Sequence, residues 1–298
     1  MSRIAVTESG GAARAPDRGA RVARRPLVAM TGAVVALGWP AMLVPILASR
    51  GVVPGGGLVD RSPVDVERTA ALVAIAVLVP VAFWLVRRAE GPGRVALVVA
   101  RMRRWRIGAR AWLLAAAALP AATVLTGVAF GRPVSLSASD LVAQAGALVV
   151  AVVAINLWEE AMWAGLFQTR LEVRHRLPAA AFLVTVPFAL LHVPLRFVDA
   201  PFSVGAALGQ FAALLVLGFV VRLLMGLVLR SVADSLLALA VFHASFNSAN
   251  NEEGLGAAAL GADHQGFALL AVLTLLVVTT VALRGRLGRR DATTEVVS

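Results

Sequence analysis

"INLWEEAMWAGLFQTRL", residues Ile155–Leu171, sets two adjacent glutamates, Glu159 and Glu160, inside an otherwise apolar stretch. An ionised carboxylate in an apolar medium is costly, so carboxylates placed in this way are paired, protonated or used. The stretch decides the fold class if the medium is lipid. It decides the chemistry if the carboxylates share a site.

The rest of the chain points to lipid. Of 298 residues, 59% are hydrophobic and 15% charged, with a mean hydropathy of +0.82. Soluble domains carry about a quarter charged residues. Apolar runs of bilayer-crossing length occupy 27–48, 69–86, 111–129, 140–169, 177–195, 205–229, 231–249 and 265–283. The expected fold is therefore all-α: a polytopic integral membrane helix bundle of about eight transmembrane helices. Residues 1–26 read as a disordered basic cytoplasmic tail, 27–284 as one membrane domain and 285–298 as a second tail.

The charges orient this bundle. All 28 basic residues are arginine. With the N-terminus inside, 22 of them fall in cytoplasmic segments and five in outside loops, as the positive-inside rule expects when both termini are cytoplasmic. This accounts for the net charge of +11 without nucleic acid. The partners expected are the lipid bilayer, here the plasma membrane of a bacterium, and a membrane-associated protein or peptide. The arginine-rich loop 87–110 reads mainly as an interfacial helix with its arginines at the headgroups. Without cysteine, lysine or tyrosine, thiol and amine nucleophiles are excluded.

The ionisable residues within spans are few: Glu159, Glu160, His192 in "FALLH", Arg222, and His243 with Asn247 in "HASFN". Counting 1.5 Å per residue from the arginine-rich ends puts Glu160, His192 and His243 at about 15, 22 and 18 Å, in one slab of the bilayer. His243 and Asn247 share a helical face. Adjacent glutamates differ by about 100° around a helix, so one should face the site and the other a neighbouring helix. Arg222 lies near a helix end and reads as a snorkelling side chain.

In a low-dielectric pocket a glutamate can take a proton from water near neutral pH, while a histidine and an asparagine donate hydrogen bonds to an oxyanion. That chemistry is amide hydrolysis without a covalent intermediate. Other designs lack their motifs: there is no HExxH, GxSxG or GxGD. Two histidines and a carboxylate are also a zinc-ligand set, but a buried asparagine suits an oxyanion better, so no cofactor is expected.

"EEAMWAG", "FALLH" and "HASFN", in three spans, together resemble the CPBP (Abi) family of intramembrane proteases, which includes CAAX prenyl endopeptidases. The family pattern is EExxxR, FxxxH and HxxxN, and the resemblance covers residues 140–250. It implies that Glu159 with His192 activates water, that His243 and Asn247 form the oxyanion hole, and that Glu160 supports them. It also implies an eight-helix bundle whose cavity opens toward the cytoplasm. One position departs: the family's arginine falls at Ala164, leaving Glu160 to be protonated or paired with Arg170 or Arg222. That departure favours a second reading, a catalytically silent immunity or scaffold protein. A proton-coupled transporter is a third, opposed by the absence of internal repeats.

Overall fold

The computed structural model of the chain describes residues 18–288, apart from residues 60 and 63. The described residues form helices and no strands. In chain order the principal ones are α1 (Arg25–Ser49), α2 (Val66–Glu90), α3 (Pro92–Met102), α4 (Ala109–Ala129), α5 (Ala138–Glu172), α6 (Leu177–Phe197), α7 (Val204–Ser231), α8 (Leu236–Asn250), α9 (Leu255–Leu260) and α10 (His264–Ala282). Seven of them, α1, α2, α4, α5, α6, α7 and α10, are long and apolar enough to cross a membrane. Val142, Val149, Val153, Leu113, Leu125 and Val216 are exposed on their outer faces, as expected of an integral membrane protein. Most of the tail expected over 1–26, and that over 285–298 from residue 289 on, lies outside the described residues. Helical structure already begins at Arg18 (Arg18–Ala33).

The bundle is built by pairwise packing of α1 on α2, α6 on α7, and α4 against both α8 and α10. The Glu159–Glu160 helix, α5, is anchored at its arginine-poor end by a capping box. The Ser137 hydroxyl accepts from the Asp140 N–H at 3.1 Å, and the Asp140 carboxylate accepts from the Ser137 N–H at 2.9 Å, satisfying two donors that a helix start leaves open. Farther along, α5 widens into π turns at Val152–Asn156 and Ala161–Gln168. The regular turn Leu157–Glu160 between them carries both glutamates. Wide turns of this kind gather at functional sites.

The seventh expected span departs from its sequence reading. The helix there, α8, has 15 residues, about 22 Å of length, against the roughly 30 Å of a bilayer core. It starts at Leu236, behind a turn in which Ala233 and Asp234 adopt positive φ (52° and 58°). Its N-terminus is capped by Ser235, whose hydroxyl accepts from the Ala238 N–H at 3.1 Å. Non-helical backbone at this depth is tolerated only when protein satisfies it, and α3 does so. Arg101 donates to the Asp234 carbonyl at 3.1 Å, and Arg104, just past α3, to that of Ala233 at 2.6 Å.

The loop 87–110 divides between two settings. The side chains of Val98 and Arg101 on α3 are buried, and Val98 packs where Gly165 leaves room on α5. Arg101 and Arg104 bond the bundle because the recessed start of α8 exposes carbonyls that need donors, whereas Arg87, Arg88, Arg103, Arg106 and Arg110 are exposed.

Close helix approach is tested by Gly226 on α7, where an added Cβ would overlap Leu177 Cδ1 and the Gln168 amide. On helix propensity alone Gly→Ala stabilises by about 1 kcal/mol. Gly226→Ala should instead destabilise, by about 1–3 kcal/mol of overpacking. Gly209→Ala on the same helix, with nothing within 4 Å, should keep the favourable sign. Unfolding of both variants in nanodiscs checks the difference.

Candidate active site

Three helices that touch one another, α5, α7 and α8, place four ionisable side chains in contact. Glu160 is fully buried and Arg222 is 1% exposed. The guanidinium donates to both carboxylate oxygens, Nη1 to Oε2 and Nη2 to Oε1, each at 2.8 Å. This is the bidentate geometry in which an arginine–carboxylate pair is strongest. Arg222 therefore does not snorkel to the headgroups; it turns into the bundle. It supplies from α7 the cation that the family pattern places at position 164 on α5, where this chain has a buried alanine. Arg170 goes elsewhere, to Glu90 at 2.7 Å.

The Nδ1 of His243 lies 2.8 Å from Glu160 Oε1 and 3.8 Å from Glu159 Oε2. Adjacent helical residues point about 100° apart, so an imidazole lying between the two directions is within reach of both. Glu160 is a carboxylate already paired with arginine and can only accept, so the proton in its bond to His243 sits on Nδ1. His243 Nε2 is then the nitrogen left for chemistry.

His192 is oriented in the same sense by a different partner. Its Nδ1 lies 2.8 Å from the Phe188 carbonyl, an acceptor, so Nδ1 donates and Nε2 is again the nitrogen left for chemistry. The Phe188 ring supports the imidazole at a centroid distance of 4.3 Å, and the Arg222 guanidinium lies over that same ring at 4.8 Å. Trp163 meets Phe188 edge-on at 6.0 Å. His192 is also within electrostatic reach of Glu159, His243 and Arg222.

The two glutamates occupy unlike surroundings. Glu160 accepts three hydrogen bonds from side chains. Glu159 is 7% exposed and makes none among the described residues. Asn247 lies one turn beyond His243 on α8, half-buried, and its side chain is likewise without a hydrogen bond among the described residues. Ser245 faces away, donating to the Ala115 carbonyl of α4 at 3.1 Å.

Exposure is confined to one side of the site. His192 and Asn247 lie toward the arginine-poor ends of α6 and α8 and are half-buried. Toward the arginine-rich end, Met162, Trp163, Leu166, Phe167, Leu171 and Leu177 are all buried. On that side Val98 of α3 and Leu236 of α8 close in around Gly165.

Two polar residues gain importance from the structure. One is Arg222. The other is Asn156, within the quoted stretch and one turn before Glu160, whose amide is fully buried with neither polar atom bonded among the described residues. An intramembrane asparagine was the signal available for it. Among the described residues no group of three or more His, Cys, Asp or Glu side chains is arranged to hold a metal ion.

The arrangement defines a class: a helical membrane protein with an ion-paired carboxylate, a second carboxylate without a hydrogen bond among the described residues, two oriented imidazoles and an amide gathered in its interior. Residues 141–249 match the family model for type II CAAX prenyl endopeptidase Rce1-like proteins. The matched stretch is a little over a third of the chain, contains every residue of the site, Arg222 included, and is similar to the family whose motifs it carries. Comparison with curated proteins finds no match.

The unlike surroundings of the glutamates carry an expected outcome for stability. Glu160→Gln leaves the Arg222 charge buried without its counter-ion and should cost about 3–5 kcal/mol. Glu159→Gln breaks no hydrogen bond and should cost about 1 kcal/mol or less. Thermal unfolding of the two variants side by side measures the contrast.

Proposed function

We propose that the protein is an intramembrane endopeptidase that hydrolyses a peptide bond of a membrane-associated protein, with Glu159 as the general base. The observation that carries this reading is the division of labour between neighbouring carboxylates. Arg222 and His243 occupy the oxygens of Glu160, while Glu159 accepts no hydrogen bond among the described residues. A carboxylate without a hydrogen bond in a low-dielectric site is the one able to accept a proton from water. The match of residues 141–249 to a protease family supports the same reading.

The reaction follows from the orientations. Water held by the Nε2 lone pair of His192 loses a proton to Glu159, and its oxygen attacks the scissile carbonyl carbon. The carbonyl electrons move onto oxygen, where the Asn247 amide and the Nε2–H of a protonated His243 stabilise the oxyanion. Collapse of the tetrahedral intermediate breaks the C–N bond. The proton held by Glu159 passes to the departing amine, leaving a carboxylic acid and an amine, between which the remaining water proton then passes to give carboxylate and ammonium. Oxyanion stabilisation by His243 requires the imidazolium form, because its Nδ1 proton is committed to Glu160.

Prenylated C-terminal peptides are the first substrates to offer, since the matched family is described as CAAX prenyl endopeptidases. The reading of a silent immunity or scaffold protein rested on Ala164, and Arg222 supplies the charge that position lacks.

The test is cleavage in lipid nanodiscs, with a membrane-peptide pool that includes prenylated C-terminal peptides and products read by mass spectrometry. Wild type should cut. Glu159→Gln should lose about 10²–10⁴ of the rate, the usual worth of a general base, while keeping its fold. Cuts should persist with a zinc chelator present, and chelator-sensitive cutting would turn the mechanism to a metal. Absence of any wild-type cut would leave the site without hydrolytic function.

A further inference from the structure

The site's two histidines hang from one side chain that belongs to none of its motifs. Arg222 reaches His243 through Glu160, by two 2.8 Å bonds to the carboxylate and a third from carboxylate to Nδ1. It reaches His192 through Phe188, lying 4.8 Å over the ring on which the imidazole stacks at 4.3 Å. The guanidinium is 1% exposed, so its orientation is set by these partners and not by water. Gly218, one turn before it on α7, lets that helix close on Thr185 and Phe188 of α6, with a Cβ there meeting them at 3.1 and 3.5 Å. The Arg222 backbone is tied as well: its carbonyl accepts from Gln168 at 3.4 Å, and the same amide donates to Glu172 at 3.1 Å.

We propose that Arg222 is the positioning residue for both halves of the site, orienting His243 through the Glu160 carboxylate and His192 through the Phe188 ring. The proposal rests on the hydrolytic reading for its consequence but not for its geometry. A planar fork satisfies both demands at once, with its edge on the carboxylate and its face on the ring. An ammonium offers a charge without that fork. Arg222→Lys should therefore keep Glu160 ionised, and so keep the proton on His243 Nδ1, while losing the fixed placement of both rings. Arg222→Gln removes the charge, so the buried Glu160 takes up a proton and donates it. His243 then accepts at Nδ1 and carries its own proton on Nε2.

The chain has four histidines, few enough to follow individually by ¹⁵N NMR of histidine-labelled protein in nanodiscs, with single His→Gln variants for assignment. Wild type should show protonated Nδ1 on both His192 and His243. In Arg222→Gln the His243 proton should move to Nε2. In Arg222→Lys it should stay on Nδ1, but the signals of both rings should broaden into several environments. The kcat for peptide cleavage should fall about 10–100-fold in the Lys variant, the range seen when an orienting partner is removed from a histidine, with KM little changed.

If Arg222→Gln folds and His243 keeps its Nδ1 proton, the proposal is overturned. It is equally overturned if Arg222→Lys leaves both ring signals and kcat as in wild type, and this second variant decides the matter if the first does not fold. The spectra need no substrate. Expected spectra from a protein that cuts nothing would uphold the positioning role and remove the peptidase reading, whereas cleavage with unresponsive spectra would do the reverse.

Discussion

The ion pair between Glu160 and Arg222 is the constraint around which the interior is arranged. Two full charges at this depth have no water to return to, and each is tolerated only because the other is there. Taken as a source of stability such a pair is a poor investment, since well-packed apolar residues of the same volume serve as well or better. Its use lies in direction. A bidentate contact between α5 and α7 fixes where a carboxylate oxygen points, and that oxygen sets the ring of a histidine on a third helix.

The surroundings are built to permit this. Gly218 and Gly226 bring α7 against α6 and the end of α5, close enough for a side chain from one helix to span to the next. The π turns on either side of Leu157–Glu160 isolate one regular turn in the middle of a 35-residue helix. The short helix α8 begins five residues later than its apolar run, and α3 is drawn into the bundle to satisfy the carbonyls thereby uncovered. With α8 starting at Leu236, His243 lies only about 10 Å from that helix's own beginning. The depth shared by the polar groups depends as much on the recess of α8 as on residue counting.

Much of this was legible in the residues, and the limits have physical causes. Apolar runs marked the helices to within a few residues because lipid demands length and hydrophobicity together. The same constraint made every intramembrane charge conspicuous. Depth, however, is one coordinate, and azimuth is another. Arg222 lies within reach of a helix end, where a long side chain can run outward to headgroups or inward to a partner. Only the neighbour's rotation about its axis decides between them. Arg101 and Arg104 of loop 87–110 misled for a related reason. Arginines at a membrane edge look alike whether they meet phosphates or carbonyls, and the carbonyls in question belong to a turn about 130 residues farther along. The Ser235 cap was in plain view, but an apolar run continuing through Val232 and Ala233 concealed it.

Charge balance connects the geometry to the chemistry. A buried cluster tends toward neutrality because an uncompensated charge cannot be solvated there. Arg222 and Glu160 cancel across their bidentate contact. Glu159 has no such counter-charge: its nearest charged neighbour is His243, whose Nδ1 is 3.8 Å away and already held by Glu160 at 2.8 Å. One step of about 100° around the same helix thus separates a carboxylate neutralised in place from one that is not.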